Sequence, residues 1–436
     1  MNALPQLRTL VEGRVLLPSD AGFDAARAPW NRAVRQPVAA VVEAAGADDV
    51  AAVVRYARDA GLAVSAQPNG HGATGDVDGV VLLRTGALDH LHVDPAARTA
   101  RVGAGVSWGR VQAAAAEHGL TGLAGSAPGV SVTGYTLGGG LSWFGRAHGW
   151  AADSVLAFEV VDADGARSRV TADSDPDLFW ALRGGGGDFA MVTEVEFRLH
   201  PAPELYGGRL LWPGHLAPAA LDAFRRVTEA APPELSLWWT RIGPPGGAPL
   251  VAVDTAFLGD ATAAKELLRP LEDVGTPIAD SRAPMSPADL GTITADPTDP
   301  GPGMSRTRTL TGLDGDAAAI LAEGPVDPLL LLQLRHVGGA LAEPSDTPLG
   351  ALAEPYLVYA FGLPLSPEAA AGIGDRCDRL FGDLGDRVGR RRPYTLLAPG
   401  DSAADAFTPE ALDRLRRIKR ERDPRGVIRA NFPVLG

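Results

Sequence analysis

The sequence predicts an α+β protein of two lobes, each built on its own sheet. Three observations predict this. Residues 36 to 200 alternate short apolar strands with stretches of helical periodicity. After His200-Pro201-Ala202-Pro203 the strands lengthen and alternate apolar with polar residues, which suits an antiparallel sheet covered by helices on one face. From Pro393 the character changes again, to a final helix and an extended tail. The expected division is residues 1–200 with 393–436 as one discontinuous domain, and 201–392 as the second.

In the first lobe, Val38 to Ala45 reads as a strand. Ala47 to Ala60 reads as an amphipathic helix, with Val50, Val53, Val54 and Ala57 on one face. Leu62 to Ala66 and Val80 to Arg84 are strands. Leu91 to Val93 and Ala100 to Val102 form a hairpin about an Asp94-Pro95-Ala96-Ala97 turn. Ser107 is placed to cap a helix that runs to about His118. Leu156 to Asp162 and Arg167 to Val170 pair around Asp164-Gly165, and Met191 to Leu199 closes the region. In the second lobe the strands are Leu235 to Ile242, Leu250 to Phe257, Leu329 to His336 and Tyr356 to Phe361. Ala261 to Leu271 and Pro367 to Leu380 are helices between them, and Asp280 to Thr307 is a long surface loop. Thr408 caps the last helix, to about Arg422.

Composition narrows the function classes. A net charge of -13 over 436 residues argues against a nucleic-acid partner. Lysine is nearly absent, and the run Arg390-Arg391-Arg392 reads as a solvated loop. The single cysteine, Cys377, excludes an intrachain disulfide. Met1 to Leu10 lacks a basic leader with an apolar core, and no apolar run reaches the roughly 18 residues of a membrane span. The expectation is a cytoplasmic protein with no membrane, metal or nucleic-acid partner.

The chemistry gathers at glycines. Leu62 to Ala66 runs into Gln67-Pro68-Asn69-Gly70-His71-Gly72. Further on come Gly138-Gly139-Gly140 and Gly184-Gly185-Gly186-Gly187. Backbone amides approach a pyrophosphate closely only where side chains are missing, so three such turns in one lobe predict a long anionic cofactor gripped at several points. The dinucleotide fingerprint of a Rossmann fold is absent.

These segments resemble the FAD-linked oxidases of the vanillyl-alcohol-oxidase and berberine-bridge-enzyme class. The first segment resembles the one whose histidine is bonded to the methyl group on the flavin's benzene ring, here His71. Gly134 to Val155 resembles the second segment, with Gly138, Gly139, Gly140, Trp143, Arg146, Gly149 and Asp153 on its pattern. Asp175 to Thr193 resembles the third, and the tail ending in Asn431, Phe432, Pro433 and Val434 resembles the one that returns to the flavin. The resemblance implies a two-lobed FAD-binding domain of the PCMH type plus a substrate domain. It places Gln67, Pro68, Asn69, Gly70, His71, Gly72, Ala127, Thr133, Gly134, Tyr135, Leu137, Gly138, Gly139, Trp143, Asp153, Val192 and Asn431 about the FAD. Many members carry a second tether, a cysteine, where this chain has Ala127, so the FAD is expected to be held covalently through His71 only. Ser154 and Asp188 replace asparagines usual at those places.

The same resemblance puts the substrate on the sheet of the second lobe. Gln333 stands about where related enzymes carry a catalytic glutamate, and an amide is no general base. Tyr394 is the alternative base, provided that neighbouring arginines lower its pKa. Trp238, Arg335 and His336 are candidate substrate contacts, Trp238 by stacking on a flat molecule. The implied activity is oxidation of a small organic molecule, a secondary metabolite by analogy, with electrons passed to dioxygen to give hydrogen peroxide. Two alternatives are an antibiotic-resistance oxidase acting on a reduced quinone drug, and a non-redox scaffold in which FAD is structural.

Overall fold

The computed structural model describes residues 4–436. The first three residues of the domain range 1–200, and of the Met1 to Leu10 reading, lie outside the described residues.

The first lobe holds two larger sheets and a two-stranded one, Leu120–Thr121 with His200–Pro201. A four-stranded sheet runs in the order Arg14–Leu16, Ala40–Glu43, Val81–Arg84, Val64–Ala66, with parallel pairing between its last three strands. Helix Ala47–Ala60 covers it: Val50, Val53, Val54 and Ala57 are all buried, and Gly61 at φ 67° ends the helix. The second sheet is antiparallel, in the order Leu91–Asp94, Thr99–Gly103, Met191–Arg198, Val155–Val161, Arg167–Val170. Both hairpins read from the sequence are present. Ser107 stands before helix Trp108–Ala116 but its side chain makes no cap bond.

The second lobe is an antiparallel sheet of eight strands. Its main path runs Tyr206–Pro213, Leu250–Phe257, Leu235–Ile242, Leu331–His336, Tyr356–Gly362, Met304–Leu310. Helices Ala217–Glu229, Gly315–Glu323 and Pro367–Leu384 cover one face, against Leu235, Leu237, Trp239, Leu332 and Leu334. The other face, through Trp238, Ala256 and Leu357, joins the core of the first lobe. Helix Pro409–Arg422 returns to that core through Leu412, Leu415 and Ile418.

Three expectations change. Asp280 to Thr307 is not one loop: Leu290 and Ile293 are buried, and Met304 opens an edge strand. There threonines, not apolar residues, alternate with arginines, which hides the period of two. Strand Tyr206–Pro213 was masked by Gly207 and Gly208. Pro270 splits the expected helix Ala261 to Leu271 into Ala261–Leu267 and a 3-10 turn, Arg269–Val274.

Candidate active site

Strand Val64–Ala66 ends at the turn through His71. Gly70 has φ 77°, and a Cβ there would meet Pro29 at 2.8 Å, so the turn requires glycine. The turn sets the His71 ring on Trp30, with centroids 4.4 Å apart and planes 17° apart. Nδ1 of His71 is buried and has no hydrogen-bond partner among the described residues. Burial pushes the His71 pKa down to about 4, so the imidazole is neutral at pH 7.

The turn is gripped from several sides. Gln67 accepts from Gln36 Nε2 (3.0 Å) and donates to Asn431 Oδ1 (3.3 Å). Thr74 Oγ1 donates to the carbonyl of Asn431 (3.2 Å), so the C-terminal tail is bound to both ends of this segment. Asn69 Nδ2 donates across to the carbonyl of Gly129 (2.6 Å), joining the turn to the loop that holds Ala127. The half-buried Pro68 links Gln67 to Asn69.

That second loop leads into helix Val132–Leu137, capped by Ser131. A Cβ at Gly129 or Gly134 would meet nothing within 4 Å, and one at Gly72 only Asn431 Nδ2 at 3.9 Å. Nearby, Gln36 Oε1, Thr133 Oγ1, Thr136 Oγ1 and the Tyr135 hydroxyl are buried without partners among the described residues. Unpaired buried polar atoms are costly, and three of these lie on helix Val132–Leu137, whose Gly134 stands clear of the chain. These residues fit a long polar cofactor laid between the loops, with His71 at one end.

The other two glycine runs have a different use. A Cβ at Gly138 would lie 3.2 Å from Thr395 and Tyr394, one at Gly139 2.0 Å from Leu349, and one at Gly186 2.3 Å from the Tyr394 hydroxyl. Gly184 approaches the Cα of Gly139. The carbonyl of Leu137 accepts from Gly186 N (2.8 Å). Gly138 and Gly139 therefore allow two chain segments to meet. Trp143 is fully buried and stacks on Trp238 at 3.6 Å. Asp153 accepts from Trp150 N (2.8 Å) and Ser345 Oγ (2.7 Å), which makes it a loop clamp. Val192 is buried at a bulge in its strand. Ser154 Oγ is bonded to His200 Nε2 (2.9 Å), and Asp188 accepts from Ala430 N and Val434 N of the tail.

The sheet of the second lobe presents two rows of side chains to the first lobe. Cross-strand register aligns Thr240, Gln333, Tyr359 and Thr307 in one row, and Arg209, Asp254, Trp238, Arg335 and Leu357 in the next. Gln333 Nε2 donates to Thr240 Oγ1 (3.1 Å), and Gln333 Oε1 accepts from Arg335 Nε (2.6 Å). Thr240 Oγ1 in turn donates to Asp254 Oδ2 (3.4 Å). Asp254 is fully buried and paired with Arg209 (2.5 Å). Desolvation of Asp254 nonetheless pushes its carboxyl pKa up. The Arg335 guanidinium lies 4.0 Å over the Trp238 ring and 5.3 Å from that of Tyr359, and its burial lowers its pKa.

The structure gives three candidates from the sequence other contacts. Both faces of Trp238 are covered, by Trp143 and by Arg335, which leaves none for a substrate. His336 points to the opposite side of its strand from Gln333, where its Nε2 meets Arg146 Nη1 (3.0 Å), and burial holds its pKa down at about 3. Arg146 also donates to the carbonyls of Leu235 and Val337, so His336 belongs to a buried joint between lobes. Tyr394 donates to the carbonyl of Phe432 (3.1 Å), and burial raises its pKa. Arg391 and Arg392 are spent on Leu349 and Ala351 carbonyls and on Asp401, so nothing lowers the phenol's pKa.

Sequence reasoning missed Tyr359, Asp254 and Asp296. Tyr359 and Asp254 are found only through strand register. Asp296 accepts from Ser126 Oγ (2.6 Å) and is near enough to act electrostatically on Arg335, Tyr359 and Asp254. Cys377 is fully buried on the helix-covered side of the sheet, away from Ala127. Among the described residues no group of His, Cys, Asp and Glu is arranged to hold a metal ion, and no helix is long and apolar enough to cross a membrane.

Comparison with known proteins fits this geometry. A profile described as an FAD binding domain matches residues 38–171. The chain is 28% identical to (R)-6-hydroxynicotine oxidase of Paenarthrobacter nicotinovorans, over 97% of each chain. It is 34% identical to glucooligosaccharide oxidase of Sarocladium strictum, over 42% of this chain and 38% of that one. Its structure superposes on 6-hydroxy-D-nicotine oxidase of Arthrobacter nicotinovorans with a TM-score of 0.84 at 26% identity, covering 97% of this chain and 98% of that one. It shares the fold of a chitooligosaccharide oxidase, at a TM-score of 0.86 and 19% identity, covering 100% of this chain and 99% of that one.

Proposed function

We infer the working of the site from one premise: the chain is an FAD-dependent oxidase of the vanillyl-alcohol-oxidase and berberine-bridge-enzyme class. We propose that residues 1–200 and 393–436 hold the FAD, that residues 201–392 hold the substrate, and that His71 alone bonds the cofactor. The observation that carries this reading is the neutral His71 ring, fixed on Trp30, with an unpartnered nitrogen beside the open glycines of two facing loops. Ala127 offers no nucleophile, and Cys377 is buried in a helix of the other lobe.

When bound, FAD supplies the two-electron acceptor that dioxygen afterwards reoxidises to give hydrogen peroxide. The chain's own residues do the rest. Thr133, Tyr135, Thr136 and Gln36 offer polar atoms to the cofactor's length, and Gln67 with Asn431 keeps the tail closed over it. Gln333 accepts no proton. Both ends of its amide are committed, and it orients Arg335 at the substrate's face of the sheet. The single buried cysteine supports a cytoplasmic setting. A second reading, reoxidation of a reduced quinone, is favoured by the same Gln333, since an acidic hydroquinone needs no strong base from the strand.

Acid precipitation tests the attachment: the pellet keeps the flavin absorbance if His71 holds it, and the supernatant takes it if not. Mixing photoreduced protein with dioxygen tests the oxidase. Fast reoxidation with one peroxide per flavin is expected, and slow reoxidation would refute it.

A further inference from the structure

Arg335 carries the charge on the substrate's face of the sheet that makes no ion pair, Asp296 acting on it only through space. The other two charges of its row cancel: Arg209 and Asp254 form a buried pair, with Asp254 further bonded by Thr240. Arg335 forms no ion pair among the described residues. Its Nε donates to Gln333 Oε1, and neither Nη atom donates to any described residue. Its plane is fixed between Trp238 at 4.0 Å and Tyr359 at 5.3 Å. Arg335 is half-buried, so a ligand can reach it, and a fork of N–H groups held flat is shaped for two parallel bonds to a carboxylate.

Gln333 explains why the charge is left free. A glutamate at that position would accept from Arg335 Nε as an anion and neutralise it. The amide fixes the guanidinium through the same atom without cancelling its charge. The hydrogen bonds run in one direction, from Arg335 to Gln333 to Thr240 to Asp254, which pins the amide's orientation.

We propose that Arg335 binds a carboxylate of the substrate, and that Gln333 is a positioning residue that keeps the guanidinium both aimed and unneutralised. This rests on reading the sheet face as the oxidase's substrate site, and it narrows the substrate to small molecules that bear a carboxylate beside the group being oxidised. The acid anchors the molecule, and the aromatic walls of Trp238 and Tyr359 keep Arg335 from turning away.

The test uses the holoenzyme with benzoate as the probe and benzamide as its neutral counterpart, both titrated by calorimetry so that the readout does not depend on flavin colour. Wild type is expected to prefer benzoate by at least about tenfold, a factor equal to about 1.4 kcal/mol. Arg335→Met abolishes that preference by weakening benzoate binding. Arg335→Lys restores part of it. Gln333→Glu, which keeps the guanidinium and its packing, also abolishes it. Equal binding of the two probes by wild type, or a preference that survives Arg335→Met, overturns the proposal. So does a shift of the flavin's reduction potential in Arg335→Met with the benzoate preference intact, because Arg335 would then serve the cofactor. A protein that carries no flavin, or whose reduced flavin reacts slowly with dioxygen, would defeat the oxidase reading instead, and the calorimetric preference would still be read on the same sample.

Discussion

Tyr394 is a phenol whose surroundings decide its role. Its hydroxyl gives its proton to the carbonyl of Phe432, and Gly186 leaves the ring room to lie against the chain. Burial, with Asp188 nearby, holds its pKa above that of a free phenol. Tyr394→Phe should therefore cost about 1 kcal/mol of stability for the lost hydrogen bond and change the single-turnover rate of flavin reduction by less than about twofold. A large fall in that rate would restore Tyr394 as a base. Gln333 had the opposite history. From sequence it was an amide where a glutamate was expected, and its use emerges only when Thr240, on the neighbouring strand, comes beside it.

At the scale of elements, the C-terminal tail is fastened by a buried ionic cluster. Lys419, one of two lysines in the chain, donates to Asp423 Oδ2 (2.8 Å) and to the carbonyls of Asp188 (2.7 Å) and Ile428 (2.6 Å). The Asp188 carboxylate accepts from Ala430 N and Val434 N, on either side of Asn431 and Phe432. Removing it leaves two buried backbone amides unpaired and takes one of two carboxylates from the buried ammonium. Asp188→Ala should cost about 3 kcal/mol, seen as a lower urea midpoint, with faster amide exchange over residues 427–434. Exchange at the wild-type rate would show that the tail is held by packing alone.

Elements also show what the sequence makes legible. Alternation placed Leu235, Leu237 and Trp239 on the helix-covered face and Trp238 on the other, because the period of a strand is local. The turn at His71 was readable because histidine among glycines in a strand-ending turn is unusual. The glycine runs were not fully readable. A glycine that opens onto a ligand and one that lets Leu349 or Tyr394 approach have the same letter, and the difference lies in contacts from residues far along the chain. Tyr359 and Asp254 were invisible for the same reason: cross-strand register alone puts them on the site's face.

At the scale of the whole molecule, buried histidines tie stability to pH. His200, stacked on His148 at 4.0 Å, has its pKa lowered to about 4 by burial, and His336 has its own lowered to about 3. Unfolded, each would titrate near 6.5. Above that pH both states are neutral and nothing is lost. Below it the unfolded chain takes up protons that the folded chain refuses, so stability falls as pH falls. By pH 5, above the ordinary carboxylate range, each of the two should have lost about 2 kcal/mol. Urea midpoints at pH 7.5 and pH 5 would measure the fall, and His200→Gln should reduce it by about 2 kcal/mol. A flat profile would mean that these rings are protonated in the native state.

The most direct measurement is a peptide map of the unfolded holoprotein, read by mass and flavin fluorescence, beside the same map of His71→Ala. The flavin should travel on the peptide that contains residues 67–72 in the wild type and be absent from every peptide of the variant. Flavin released freely from the wild type, or found still attached in His71→Ala, would contradict the assignment of His71 as the sole anchor.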